Sequence, residues 1–206
     1  MNVVDLLLKL LSCESLTPDD AGSLKFIEEY LDGYEAMYVN KEGVKNLMLS
    51  KKFAEGTHLC FAGHVDVVPP GDGWDTNPFV PVVKEEKIYG RGTQDMKSGV
   101  AAFVQACKDV EHFEGTLSVL LTSDEEGDAK YGTQIMLEHL KDIDFLPDCC
   151  IVAEPTCESV FGDAIKIGRR GSINGVIEKH GKQGHAAYPE KATNPIHKVA
   201  QVLPSM

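Results

Sequence analysis

Between Leu59 and Gly71 the segment LCFAGHVDVVPPG places an imidazole and a carboxylate, His64 and Asp66, in a run with the apolar character of a buried strand. Residues i and i+2 of a strand project to one face, so the two can be neighbours. Asp66 would then accept from one ring nitrogen while the other stays free for a metal. Taken alone, the pair also fits a hydrogen-bonded core histidine, which is the more common case. Three further segments carry acids in comparable places: Asp95 in GRGTQDMK ahead of a helix, Glu125 and Glu126 at the end of LSVLLTSDEE, and Glu154 closing CCIVAE before Pro155. A single acid at a loop is ordinarily a solvated carboxylate. Ligand sites in α/β sheets, however, gather beyond the carboxyl ends of strands, and the coincidence of these segments points to one site. One histidine with several carboxylates and no cysteine ligand motif suits zinc or a related divalent ion of a hydrolytic centre, and two metals sharing a carboxylate need about five protein ligands and a water. Adjacent Glu125 and Glu126 can divide the work, one binding metal and the other handling a proton.

The elements that must position these residues follow from periodicity. VVDLLLKLL reads as an amphipathic helix, followed by a turn at 16–20 and a second helix over 21–31. Extended runs are expected over 35–40, 46–51 and 58–68. Val100, Phe103, Val104, Cys107 and Val110 mark one face of a helix beginning at Lys97. A strand over 116–123, a helix over 132–141 and a strand over 149–153 complete a β-α-β-α-β alternation. The prediction is an α/β sheet with helices on both faces, in which LSVLLT and CCIVA take central positions buried on both sides. From about Ile165 the texture changes: Ile173, Val176 and Ile177 suit a half-exposed strand of another sheet, and a helix starts at Pro195 with Asn194 as its cap.

Composition bounds the reading. The 206 residues, 43% hydrophobic and 25% charged, suffice for the core of one domain, or one plus part of another. The net charge of -12 argues against nucleic acid as a partner, there being no basic surplus to neutralise phosphates. Asp5 and Lys9 interrupt the opening apolar stretch. Neither a membrane span nor a targeting leader is expected, and the reading is a cytoplasmic protein. Six cysteines without C-x-x-C spacing suit a reducing compartment and no disulfide framework.

Taken together and in order, GHVDVVPPGDGW, GRGTQDMKSG, SDEEGD, AEPT, and GRRGS with GKQGHAAYPEKATNPIHK resemble the dizinc aminoacylase and carboxypeptidase-like amidohydrolase family. The resemblance implies a zinc-peptidase-like mixed sheet flanked by helices over residues 1–167, the N-terminal part of a catalytic domain. Residues 168–206 would begin a smaller α+β lid and dimerisation domain. It implies that His64, Asp95 and Glu154 hold one zinc and that Asp95 bridges to a second zinc bound by Glu126, with cobalt as a substitute. Asp66 would orient His64, and Glu125 would be the general base that deprotonates the attacking water and passes the proton to the leaving amine. A cis peptide at Asp95–Met96 is implied as well. Arg169 would bind a substrate carboxylate, a task its guanidinium fork suits. His185 would reach into a partner subunit's site to stabilise the oxyanion. The implied substrate is a small dicarboxylate amide and the implied assembly a homodimer through the lid. His58, His112, His139, His180 and His197 match no catalytic position and are read as structural or exposed. A full family member is nearly twice this length and supplies a second-zinc histidine from a later segment, so Asp95 and Glu126 stand alone there.

Overall fold

The computed structural model describes residues 1–168, 171 and 175–205. The chain divides into two units, Met1–Asp163 and Ala164–Met206.

In the first unit, helix α1 (Val3–Leu11) opens on Asn2, whose Oδ1 accepts from the Val4 and Asp5 N–H groups at 2.9 Å. Asp5 reaches back to the Asn2 N–H and closes a capping box. Leu6, Leu7, Leu10 and Leu11 form the buried stripe of this helix. Helix α2 (Ser23–Tyr30) follows, then strands β1 (Glu35–Tyr38), β2 (Asn46–Lys52) and β3 (Thr57–His64). A hairpin of β4 (Val82–Lys84) and β5 (Lys87–Tyr89) leads through a turn over Thr93–Lys97 into α3 (Ser98–Asp109). Strand β6 (Gly115–Thr122), helix α4 (Thr133–Asp142) and strand β7 (Cys149–Val152) complete the unit.

The sheet runs β1-β2-β6-β3-β7, with β1, β2 and β6 successively antiparallel and β3 parallel to both β6 and β7. Strand alternation feeds two cores. Leu47, Leu49, Val119 and Leu121 face α1, α2 and α3, whereas Met48, Cys60 and Leu120 pack with Met136 and Leu140 of α4. The mixed α/β sheet flanked by helices is therefore present. The register decides where a site can form: His64 pairs with Thr122, and Ala62 with Val152. The parallel strands β3, β6 and β7 thus end side by side, and the residues just beyond them emerge at one edge.

Some expectations need correction. The strand expected over 58–68 leaves the sheet at His64, and Val67 instead bridges to Leu16. LSVLLT is central and buried, but β7 lies at the sheet edge with all four residues exposed. An apolar run records the wish to be covered, not the place in the strand order. The β4–β5 hairpin turns through Glu85 and Glu86, both at positive φ, without the glycine that ordinarily marks such a turn.

In the second unit α5 (Pro195–Ala200) starts where expected, its Asn194 Oδ1 accepting from the Ile196 N–H at 2.9 Å. Of the strand expected around Ile173, Val176 and Ile177, Ile173 lies outside the described residues and residues 175–180 form no strand. A strand needs a hydrogen-bonded neighbour, and among the described residues the only pairing in this unit is the bridge between Lys182 and Thr193. No helix among the described residues is long and apolar enough to cross a membrane.

Candidate active site

His64 is buried at the end of β3 with its ring between two kinds of oxygen. Nδ1 lies 2.9 Å from the Asp66 main-chain carbonyl and 3.5 Å from its Oδ1. The shortest orienting contact is thus the carbonyl, with the carboxylate charge just behind it. An Nδ1–H donated there leaves Nε2 with its lone pair outward. Nε2 faces Asp95 Oδ1 at 3.1 Å, Glu154 Oε1 at 3.6 Å and Glu125 Oε2 at 3.8 Å. Two sets of donor atoms lie close enough to hold a metal ion, His64 with Asp95 and Glu126, and His64 with Glu125 and Glu154. The four separate segments therefore meet around one imidazole. Asp95 and Glu125 are half-exposed, while Glu154 is mostly covered.

Asp66 has more to do than orient a ring. Its carboxylate is fully buried and accepts from Thr17 Oγ1 at 2.6 Å, from the Glu126 N–H at 3.1 Å and from the Glu125 N–H at 3.2 Å. Asp66 therefore fixes the histidine, chiefly through its carbonyl, and through its carboxylate the main chain of the two glutamates. The Asp95–Met96 peptide is cis, as the resemblance implies. Met96 is buried against β3, with its Sδ 3.3 Å from the His64 N–H. A Cβ on Gly63 would lie 2.7 Å from Met96 Cε, so glycine lets the end of the methionine side chain lie directly against β3.

Lys97, the next residue, is completely buried and donates to the carbonyls of Leu10 and Cys13 at 3.0 and 2.9 Å. Sequence reasoning found neither Lys97 nor Thr17. Nothing in their local patterns distinguishes them from a helix-start lysine and a turn threonine, and their partners are distant in the chain.

Charge shows what the cluster favours. Burial works against a protonated His64, but the Asp66 carboxylate and, more weakly, Glu125 outweigh it and raise the imidazole to about 9. Burial, then the charges of Asp95 and Glu125, push Glu154 up to about 7. Glu126 is raised by burial and by Asp95. Burial would raise Asp66 too, yet the hydrogen bonds from His64 and Thr17 hold it below the usual carboxylate range. Carboxylates crowded around one imidazole thus favour positive charge at this point. A divalent cation would supply that charge, and one imidazole among carboxylate oxygens is a donor set suited to zinc and similar hydrolytic ions.

The other expected residues lie elsewhere. Arg169 is outside the described residues. His185 belongs to the second unit, is exposed, and accepts at Nδ1 from the Ala187 N–H at 3.1 Å. His58 is structural: it is largely buried, with Nε2 2.8 Å from Ser118 Oγ.

Comparison with known proteins places this geometry. Residues 60–203 match peptidase family M20/M25/M40. Over all 206 residues the chain is 82% identical to succinyl-diaminopimelate desuccinylase of Sulfurovum sp. and 71% identical to the enzyme of that name from Nitratiruptor sp.. It spans 56% and 57% of those relatives' lengths. Among solved structures it resembles the M20 family metallo-carboxypeptidase Sso-CP2 from Sulfolobus solfataricus, with a TM-score of 0.64 and 20% identity over 76% of this chain and 38% of that one. It also resembles aminopeptidase PepT from Bacillus cereus ATCC 10987, with a TM-score of 0.59 and 20% identity over 100% of this chain and 56% of that one. At these identities the structural likeness establishes the fold.

Proposed function

The chain belongs to peptidase family M20/M25/M40, and on that premise we propose that the protein hydrolyses N-succinyl-LL-2,6-diaminopimelate to succinate and LL-2,6-diaminopimelate at a dizinc centre. The observation that carries the reading is the convergence of Asp95, Glu125, Glu126 and Glu154 on His64. Support for the substrate comes from the high identity to relatives bearing the desuccinylase name.

In this reading His64, Asp95 and Glu154 would hold one zinc, and Asp95 and Glu126 would hold a second; cobalt could substitute. When bound, the cations act as Lewis acids toward the amide carbonyl and lower the pKa of water to about 7. Glu125 takes the proton of the attacking water and returns it to the departing amine nitrogen. Its half-exposed carboxylate beside Nε2 suits a group that must meet both solvent and substrate. Asp66 keeps the His64 tautomer and the glutamate main chain in place. Arg169 binds a substrate carboxylate and His185 stabilises the tetrahedral oxyanion from the partner protomer of a homodimer built through residues 168–206. The protein works in the bacterial cytoplasm on this small dicarboxylate amide, without a nucleic-acid or membrane partner.

The test is a hydrolysis screen with the full-length gene product, comparing succinyl-diaminopimelate, N-acetylornithine and dipeptides under zinc and cobalt. Faster turnover of the acetyl substrate would replace the reading with an acetylornithine deacetylase or related N-acyl amino acid amidohydrolase. Metal binding without any turnover would leave a non-catalytic metal-binding protein.

A further inference from the structure

The turn after α1 touches the candidate site at a point that no catalytic role explains. Thr17 sits between the end of β3 and the loop after β6. Its N–H donates to the Val67 carbonyl at 3.2 Å, and its hydroxyl donates to Asp66 Oδ2 at 2.6 Å. That same oxygen receives the N–H groups of Glu125 and Glu126. The neighbouring Pro18 carbonyl accepts from Ser123 Oγ at 2.7 Å, on the strand side of the glutamates. On their other side, a Cβ built on Gly127 would come within 2.7 Å of the Thr17 methyl. Thr17 and Pro18 therefore bracket the glutamate loop from both ends.

Among the described residues that donate to the Asp66 carboxylate, the Thr17 hydroxyl makes the shortest bond and is the only donor from outside the site's own loops. The remaining donors, the Glu125 and Glu126 N–H groups and the more distant His64 Nδ1 at 3.5 Å, are the groups that Asp66 is to hold, so they move with it. A carboxylate offers about four acceptor positions, and its orientation must be set by a group with an independent anchor. Thr17 has that anchor in helix α1, whose Leu10 and Leu11 are buried in the core, and the Leu16–Val67 bridge and the Ser15 Oγ bond to the Val65 carbonyl at 2.6 Å tie its turn to the strand end that carries Asp66.

We propose that Thr17 is a positioning residue: its hydroxyl sets the orientation of Asp66 and thereby the placement of His64, Glu125 and Glu126 for metal binding and proton transfer. This rests on the metal-dependent hydrolase reading above. Groups that orient metal ligands typically change metal affinity by 10–100-fold when removed, and misplacement of a reacting group by about 1 Å can cost 10²-fold in rate.

The test compares Thr17→Val, which keeps the shape without the hydroxyl, with Thr17→Ser, which keeps the hydroxyl without the methyl. Zinc affinity is measured on the 206-residue chain by competition with a chromophoric chelator, and kcat and KM on the full-length gene product. Thr17→Val should weaken zinc at least roughly tenfold and lower kcat by a similar factor, with KM within about threefold, the pattern of an interaction lost in the transition state. Thr17→Ser should restore both to within about twofold of the parent, on the same principle. Parent-like zinc affinity and kcat in Thr17→Val would overturn the proposal, as would a Thr17→Ser variant as impaired as Thr17→Val, since the methyl packing would then be what matters. A full-length protein that binds no zinc and turns over no substrate would defeat the hydrolase reading itself. Should Thr17→Val fail to fold, the Thr17→Ser result and a Thr17→Ala variant decide by the same criteria.

Discussion

Replacing Asp66 by asparagine should reshape the pH dependence of stability in the metal-free chain. His64 stands at about 9 in the folded protein against 6.5 ordinarily, chiefly because the Asp66 carboxylate overcomes the effect of burial. The folded state therefore binds more protons than the unfolded chain between those values. Its contribution to stability is fully present below pH 6.5 and is lost as the pH rises through 9. Over the whole window this amounts to about 3 kcal/mol, and between pH 6.5 and 8 to about 1.5 kcal/mol. Asparagine removes the charge but leaves the burial, so this contribution disappears. At pH 6.5 the variant should in addition be less stable by about 1.5–3 kcal/mol for the lost charged hydrogen bonds. Its deficit relative to the parent should then shrink by about 1.5 kcal/mol at pH 8. Urea unfolding of both proteins in excess chelator, at matched ionic strength, reads the difference. Glu154 falls in stability contribution with rising pH, while Cys150 and Lys97, held below their ordinary values, pull the other way. Cys150 is common to both proteins and cancels, whereas loss of the Asp66 charge lowers Lys97 further and loss of the His64 charge raises Glu154 further, two changes of opposite sign in the comparison. A deficit that stays constant or grows with pH would refute the coupling of His64 to Asp66.

Three other perturbations test separate parts of the site. Glu125→Ala should leave zinc binding intact while lowering kcat of the full-length protein by about 10²–10⁴-fold, the usual worth of a positioned proton shuttle; loss of zinc in that variant would show that the two glutamates are assigned in reverse. Gly99→Ala should destabilise the chain by about 1–3 kcal/mol in urea unfolding, because the added Cβ would lie 2.5 Å from the Ala153 carbonyl oxygen and 2.6 Å from its Cβ. Unchanged stability and zinc affinity there would mean that the packing beneath Glu154 is looser than drawn. After dialysis, elemental analysis of the 206-residue chain should find about one zinc, since His64 is the one imidazole of the cluster among the described residues; none would mean that these residues alone do not make a stable site.

How much of this was legible in the sequence depends on the range over which each feature is encoded. Helices α1 and α3 carry their burial in local periodicity and strand β6 in a continuous apolar run, so Leu6, Val100 and Val119 could be read as core directly. The acids at strand ends were legible because a polar group closing an apolar run is itself a local signal. The place of β7 at the edge was not, because strand order is set by partners that its own residues do not name. Nor was the hairpin at Glu85 and Glu86, where two glutamates adopt a conformation usually signalled by glycine. The Thr17–Asp66 contact joins residues 49 apart in sequence, with a turn threonine on one side and a strand-end aspartate on the other. Such a contact has no periodicity to betray it, and only the folded register brings the two together.

The arrangement also explains why a site built from three strand ends needs the N-terminal helix. The sheet supplies position along the strands, since β3, β6 and β7 stop at one level, but Asp95 and the glutamates lie on loops that no ladder hydrogen bonds hold. The segment from Leu10 to Pro18 ties down the Asp95 turn and, through Asp66 and Ser123, the Glu125–Glu126 loop. Lys97 donates to the Leu10 and Cys13 carbonyls and fixes the Asp95 turn; Ser15 donates to Val65 and fixes the exit of β3; Thr17 and Pro18 hold Asp66 and Ser123. Helix α1 is in turn rooted in the same core that covers β2, β6 and β3 through Leu6, Leu10 and Leu11. Ordered hydrophobic packing is thus converted into placement of charged groups through a short run of carbonyls and hydroxyls. A preorganised cluster of like charges demands that conversion, because its own members repel one another and cannot hold the geometry that a cation requires.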